Sequence, residues 1–323
     1  MYDNPFHKEN LNEYSFLVTG GAGFIGSHLV EYLLKYKAGK IVVLDSLATG
    51  RMQNVDLFKN HPNYQFIKGD ITDLEVCRSA CKNIDVVLHQ AALGSVPRSF
   101  IEPERTNASN IGGTLNMMIA AKDNKIKRFV YASSSSVYGD NNELPKIEER
   151  IGNPLSPYAV SKRTNELYAH VFASGYGFKA VGLRYFNVFG PRQDPNGPYA
   201  AVIPRFIQAI QTGVPVTIHG DGMQTRDFTF VENAVQANIK AAFATEAALN
   251  QVYNVAVGEK FSINDVYTGI SELLNNAKPP QYVETRAGDI RQSLADISRI
   301  KRLLNYSPSV TFYEGLKITV NSI

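Results

Sequence analysis

Residues 18–29 read VTGGAGFIGSHL, and the fold turns on how this stretch is understood. An apolar run, SFLVTG (15–20), leads into it. A segment with apolar side chains at helical spacing, GFIGSHLVEYLLKY (23–36), leads out. Glycine recurs at every third position, as Gly20, Gly23 and Gly26. Between a strand and a helix, the first glycine allows the tight turn. The second lets the backbone approach a pyrophosphate, and the third packs helix on strand. The start of the helix offers free N–H groups and the positive end of its dipole to phosphates. Phe24 and Ile25 lie in the same turn and are read with the glycines as cofactor contacts. Asp45 closes the next strand, KIVVLD (40–45). An acid there accepts bonds from ribose hydroxyls and repels a 2′-phosphate, which favours NAD over NADP. Arg51, close by, qualifies that preference.

Outward from the loop, strands and helices alternate. YQFIKGD (64–70), IDVVLHQAA (84–92), IKRFVYASS (126–134) and KAVGLRYFNVFG (179–190) read as strands, and TDLEVCRSACKN (72–83) as a helix. Longer helical patterns span 104–124 and 157–174. The expected class is α/β, a Rossmann-type doubly wound parallel sheet with a smaller α/β substrate-binding domain. The first domain covers 1–186, with a return segment near 228–257, and the second covers 187–323. In that second part, a helix is expected near 204–212 and strands at PVTIHG (215–220), RDFTFV (226–231) and QVYNVA (251–256). Asp70 and Ile71, ending the third strand, border the adenine. Ala91 and Ala92 keep the loop after the fourth strand small beside the cofactor. His89 is read as a packed histidine.

The 323 residues carry 33 basic and 30 acidic side chains, a net charge of +3, which gives no basic stripe for nucleic acid. The two cysteines, Cys77 and Cys81, lie four apart on a helical stretch with no histidine beside them. They are read as reduced and half-buried, not as a metal site. The N-terminal MYDNPFHKENLNEY lacks the apolar core of a signal peptide, and no apolar run reaches the ~20 residues of a membrane helix. A soluble, cytoplasmic protein is expected, with no membrane partner.

Two further segments bear on chemistry. YASSSSVYG (131–139) places four serines at a strand end, and SPYAVSKRTNELY (156–168) places Tyr158 and Lys162 on one helix face. A lysine ammonium held close stabilises a phenolate, which makes Tyr158 a general base.

Together these residues resemble the extended short-chain dehydrogenase/reductase family, over nearly the whole chain. The likeness rests on Gly20, Gly23 and Gly26, on Asp45 and Asp70, on the serine run before Val137-Tyr138-Gly139, on Tyr158 and Lys162, and on LRYFNVFGP (183–191). Within the family the chain is most similar to the nucleotide-sugar 4-epimerases.

The resemblance implies a catalytic set of Ser134, Tyr158 and Lys162, with Tyr158 and Lys162 also holding NAD. The family's 4,6-dehydratases carry an Asp-Glu pair directly after the position of Ser134, and its decarboxylases tend to have an acid just before the VYG sequence. Ser135 and Ser136 stand there instead, which disfavours both alternatives. Ser133 is read as structural and Ser135 as a substrate contact.

For a UDP-sugar, the resemblance implies Asn187 at the diphosphate and Ala201 and Val202 in a uracil and ribose loop. Arg226 and Arg286 match phosphate-binding positions and Asp289 a ribose contact. Ser95 and Arg98, in GSVPRSF (94–100), and the small Ser293 point to an N-acetylated sugar. The implied reaction interconverts UDP-N-acetylglucosamine and UDP-N-acetylgalactosamine. Their uronic acids are a further substrate choice, with Arg98 as carboxylate partner, and a non-catalytic NAD sensor is the reading from another class. The helices at 104–124 and 157–174 resemble the family's homodimer interface; as plain layers over the sheet they would look the same.

Overall fold

The structure is a computed structural model that describes residues 1–196, 200–275, 278–285 and 291–322. Seven strands make the central sheet: β1 Ser15–Thr19, β2 Lys40–Asp45, β3 Tyr64–Lys68, β4 Val86–His89, β5 Arg128–Ser134, β6 Ala180–Tyr185 and β7 Gln251–Val255. Their order is β7-β6-β5-β4-β1-β2-β3, and every pairing is parallel. The principal helices are α1 Phe24–Lys35, α2 Leu74–Ala80, α3 Gly113–Asp123, α4 Pro157–Tyr176, α5 Val202–Gln211, α6 Val231–Ala242, α7 Ile263–Leu274 and α8 Phe312–Val320.

The apolar runs are continuous because both faces of the sheet are covered. Along β1, Phe16 and Val18 join one core with Leu29 and Leu33 of α1 and Val235 of α6, whereas Leu17 joins the other with Met117 of α3 and Phe172 of α4. Ile41 and Val43 divide from Val42 and Leu44 in the same way. Successive strand residues point to opposite faces, so an uninterrupted apolar strand is what two helical layers require. Each such side chain contributes roughly 1.5–3 kcal/mol when buried. After β6 the chain builds a third core from Phe206 and Ile207 of α5, Val266 of α7 and Leu316 of α8, and it returns to the sheet through α6 and β7.

Three local expectations are corrected. The helix expected over 104–124 is in three parts: Pro103–Asn107, a wide turn at Ala108–Gly112, and α3. In that turn the Gly113 N–H donates to Ala108 O, five residues back. The wide turn keeps the buried Asn110 amide on Leu93, accepting from its N–H at 2.8 Å and donating to its carbonyl at 3.2 Å.

The strand expected at RDFTFV breaks into Thr225–Arg226 and Thr229–Phe230, which pair with different partners. Asp227 lies between them, and its buried carboxylate accepts the N–H groups of Val257, Gly258 and Ala295 at 3.0, 3.1 and 3.2 Å. Those bonds turn the chain out of a single strand. Burial raises Asp227 to about 7, against the pull of the three donors.

Cys77 and Cys81 are fully buried, not half-buried, because α2 lays them against the sheet; burial pushes both thiols up to about 12. Among the described residues, no helix is long and apolar enough to cross a membrane.

Candidate active site

A cleft of about 890 Å³ opens along the carboxyl ends of the strands, where the order reverses around β1 and β4. Gly20, Gly23, Phe24, Ile25 and Gly26 line its floor. Gly20 has φ +68°, a backbone state that side chains strain, and a Cβ there would stand 2.8 Å from Ala91 N. A Cβ on Gly26 would overlap the Gly20 carbonyl. Gly23 caps α1 without a side chain, so the first N–H groups of that helix stay open to the cleft. Backbone this bare at a helix start fits a dinucleotide pyrophosphate.

Asp45 lines the same wall. Its carboxylate accepts Ala22 N–H at 3.0 Å and Leu47 N–H at 2.8 Å, and burial raises its pKa against those bonds. Asp70, Ile71, Ala91 and Ala92 also border the cleft. Asp70 accepts from Thr72 at 2.9 Å, which fixes the turn that carries it. His89 is packed between Thr19 and Thr114 hydroxyls, at 2.7 and 3.0 Å.

At the other end of the cleft stand Ser134, Tyr158 and Lys162. Ser134 ends β5, and its hydroxyl accepts Ser136 N–H at 3.1 Å, which caps the short turn at Ser135–Tyr138. That turn needs Gly139 at φ +53°, since a Cβ there would run into the Asn153 carbonyl. Tyr158 lies in the first turn of α4, which starts with Ser156 as cap, accepting Ala159 N–H at 3.1 Å, and with Pro157. Burial raises the Tyr158 phenol, and its hydrogen bond with Ser134 lowers it part of the way. Lys162 donates to Ala132 O at 2.8 Å, and its nitrogen stands 5.8 Å from the Tyr158 ring centre. Burial brings this ammonium down to about 8. Both groups are desolvated, and the lysine proton is directed at a carbonyl.

A second cavity of about 370 Å³ adjoins the first at Asn187, Val188, Ala200 and Ala201. Val202 and Arg226 also line it. Asn187 sits where the two meet, at φ +34°, with its amide donating to Asp227 O at 3.1 Å. Such backbone strain clusters at functional positions. Ser95 and Arg98 line the main cleft near α4. Ser135 is beside Ser134 but lines neither cavity, and the same holds for Ser293, whose N–H donates to Thr225 O at 3.1 Å. Arg286 and Asp289 lie outside the described residues.

Several lining residues escaped the sequence reading. Tyr185 and Gln90 are joined at 3.0 Å, and Asn238 of α6 bonds both, at 2.7 and 2.9 Å. The available signal was the run VENAVQANIK (231–240), whose polar residues Glu232, Asn233, Gln236 and Asn238 are buried. Gln193 also lines the cleft, and its Oε1 is buried with no partner among the described residues.

Fold and site together define an NAD-binding Rossmann enzyme with a Ser–Tyr–Lys set. The family model described as NAD dependent epimerase/dehydratase family matches residues 16–256, and the chain belongs to that family. NAD is its cofactor.

The chain is 44% identical to the solved UDP-N-acetylglucosamine 4-epimerase of Methanobrevibacter ruminantium M1, in complex with UDP-N-acetylmuramic acid. That match covers 96% of this chain and 97% of the other, with a TM-score of 0.91. It is 33% identical to the UDP-glucuronic acid 4-epimerase of Bacillus cereus, solved with UDP-glucuronic acid and NAD, over 95% and 98% of the two chains, with a TM-score of 0.88. The UDP-glucose 4-epimerase of Mycolicibacterium smegmatis is 36% identical over 94% of this chain and 96% of the relative.

Proposed function

We propose that this enzyme is a UDP-sugar 4-epimerase that interconverts UDP-N-acetylglucosamine and UDP-N-acetylgalactosamine. The observation that carries the reading is the surroundings of Ser134. Among the described residues, the acids bordering the cleft are Asp45, Asp70 and Asp194, at the ends of β2 and β3 and on the segment after Pro191. Serines follow Ser134, and no carboxylate does. A site built this way exchanges one proton at the C4 hydroxyl. It has no second acid to expel water from C5 and C6 or to carry a decarboxylation. The N-acetyl group is supported by the 44% identical 4-epimerase, not by Ser293, which lies off both cavities.

Tyr158 accepts the C4 hydroxyl proton, directly or through Ser134, and returns it after the 4-keto sugar has turned its other face about the diphosphate linkage. NAD, when bound, supplies the acceptor for the C4 hydride and its donor on return. Lys162 orients Tyr158 and holds the nicotinamide ribose. Asn187, Arg226, Arg286 and Asp289 hold the diphosphate and ribose, with Ala201 and Val202 against the uracil. A homodimer through α4 and its neighbours completes the reading.

The test is proton NMR of the purified protein with UDP-N-acetylglucosamine and no added cofactor. Growth of UDP-N-acetylgalactosamine signals at unchanged mass is expected. A 4-keto-6-deoxy product would overturn the argument from the serines. Turnover of the non-acetylated hexose many-fold better than the acetylated one would overturn the sugar. Arg98, on the cleft wall, favours the uronic acid pair as the second substrate to try.

A further inference from the structure

Arg51 raised a conflict in the sequence, because an arginine just beyond the ribose acid suits a 2′-phosphate. The structure gives it a fixed place. Its N–H donates to Ala22 O of the glycine turn at 2.9 Å, and Asn54 Nδ2 donates to the same oxygen at 2.9 Å. A Cβ on the preceding Gly50 would stand 2.7 Å from Asp45 Oδ1, so this loop lies directly against the ribose acid. The Arg51 guanidinium is engaged from outside the loop, in an ion pair with Asp194. Both residues border the cofactor cleft.

Asp194 is well held. Its Oδ1 accepts Asn196 N–H at 2.9 Å, and Gln193 Nε2 donates to Val188 O at 3.2 Å. Arg192, two residues earlier, pairs with Glu31 of α1 and donates to Ser27 O at 3.3 Å. The 191–196 segment is thus fastened to α1 at one point and to the Arg51 loop at another. The pair is 37% and 48% exposed, and pairs this open add little stability. Its position on the border of the cofactor cleft, and not its strength, sets it apart.

We propose that Asp194 is a cofactor-specificity residue: it holds the Arg51 guanidinium in an ion pair at the border of the cleft and so withholds it from a ribose 2′-phosphate. Asp45 disfavours NADP by repulsion, and Asp194 does so by occupying the cation that would compensate. This goes beyond the epimerase reading and is independent of which sugar is turned over.

The test uses the full-length holoprotein, exchanged against a large excess of equimolar NAD and NADP and then desalted. The bound dinucleotides are released and their ratio measured by chromatography. Asp194→Asn frees Arg51, and one charge-assisted contact to the 2′-phosphate should raise the bound NADP:NAD ratio about tenfold. In an Arg51→Met background the same substitution should leave the ratio unchanged. Asp194→Ser provides a second variant should the first fail to fold. A ratio within twofold of wild type in a folded Asp194 variant overturns the proposal. An equal rise without Arg51 also overturns it, since the effect would then be the loss of a negative charge alone.

Discussion

Tyr158 and Lys162 are both held where their charged forms lose water, and their shifts run in opposite directions, the phenol up and the ammonium down to about 8. A positive charge brought between them would reverse the first shift, and that is the electrostatic role open to the cofactor's nicotinamide. Tyr158→Phe should lower kcat by about 10²–10⁴ with the fold intact, read by NMR rate and circular dichroism. A variant within a few-fold of wild type would refute the base. Because burial raises the phenol, kcat/KM should climb with pH on the alkaline side, and this limb should vanish in the phenylalanine variant. Lys162 gives the opposite kind of prediction. Its folded pKa lies below the usual 10.5, so the unfolded chain binds more protons between about pH 8 and 10.5, and unfolding free energy rises with pH there. The cost of the buried ammonium is fully present below pH 8 and corresponds to about 3 kcal/mol. Lys162→Met loses the bond to Ala132 O, worth about 1–2 kcal/mol, and removes that cost. The inactive variant should therefore be more stable than wild type at pH 7 by about 1–2 kcal/mol, and the gain should disappear near pH 10. Urea unfolding at both pH values decides it; a variant less stable at pH 7 would contradict the sign.

At the scale of elements, one buried network ties α4, the helix of Tyr158 and Lys162, to the sheet. Glu166, one turn beyond Lys162 on α4, accepts Ser133 Oγ at 2.7 Å and both Arg184 Nε and Nη2 at 2.8 Å. Arg184, on β6, also reaches Tyr138 OH at 3.1 Å, and Tyr138 donates to Asn254 of β7 at 2.6 Å. Ser133 and Tyr138, before and after Ser134, are therefore fastened to α4 and to the two neighbouring strands β6 and β7. Removing one partner of a buried pair leaves the other charge uncompensated, so Glu166→Gln should cost about 3–5 kcal/mol in urea unfolding, and Glu166→Leu with Arg184→Met should recover part of it. A loss below 1 kcal/mol in the single variant would mean that solvent reaches the pair. This network also marks the limit of what the sequence made legible. The glycine turn, the alternation of strands and helices, and Tyr158 with Lys162 could be read because each is local and has its own period or backbone demand. Glu166 and Arg184 carry no local signal, since their pairing crosses 18 residues and two elements. The wide turn before α3 was hidden for the same reason. Its cause is Asn110 meeting Leu93, a tertiary contact over a segment whose periodicity reads as plain helix. The break in RDFTFV likewise depends on N–H groups at 257, 258 and 295, far along the chain.

For the whole molecule, the unresolved pressure is apolar surface. Val160, Leu167 and Val171 on α4 are each about half exposed, and their spacing puts them on one stripe, opposite the buried face of Ala159, Lys162, Glu166 and Ala169. Phe100 and Ile101, more exposed still, end the short helix Val96–Ile101, which packs beside α4. Single exposed apolar residues are ordinary, but an adjoining set on neighbouring helices is the signature of an interface. An isologous dimer would set each α4 against its copy and cover the stripe twice over with one surface. The wild-type chain should then sediment at twice its 35.7 kDa. Leu167→Glu with Val171→Glu should give the single mass, because two carboxylates per protomer would otherwise be buried without partners. Catalysis gives an independent reading of the same variant. Tyr158 and Lys162 are held from the sheet side of α4, by Ser134 and Ala132 O, and not from the stripe. The monomer should therefore keep kcat within a few-fold while its thermal stability falls. A wild-type chain that sediments at its single mass would remove the dimer. A double variant that still sediments at twice the single mass would show that the stripe lies outside the interface.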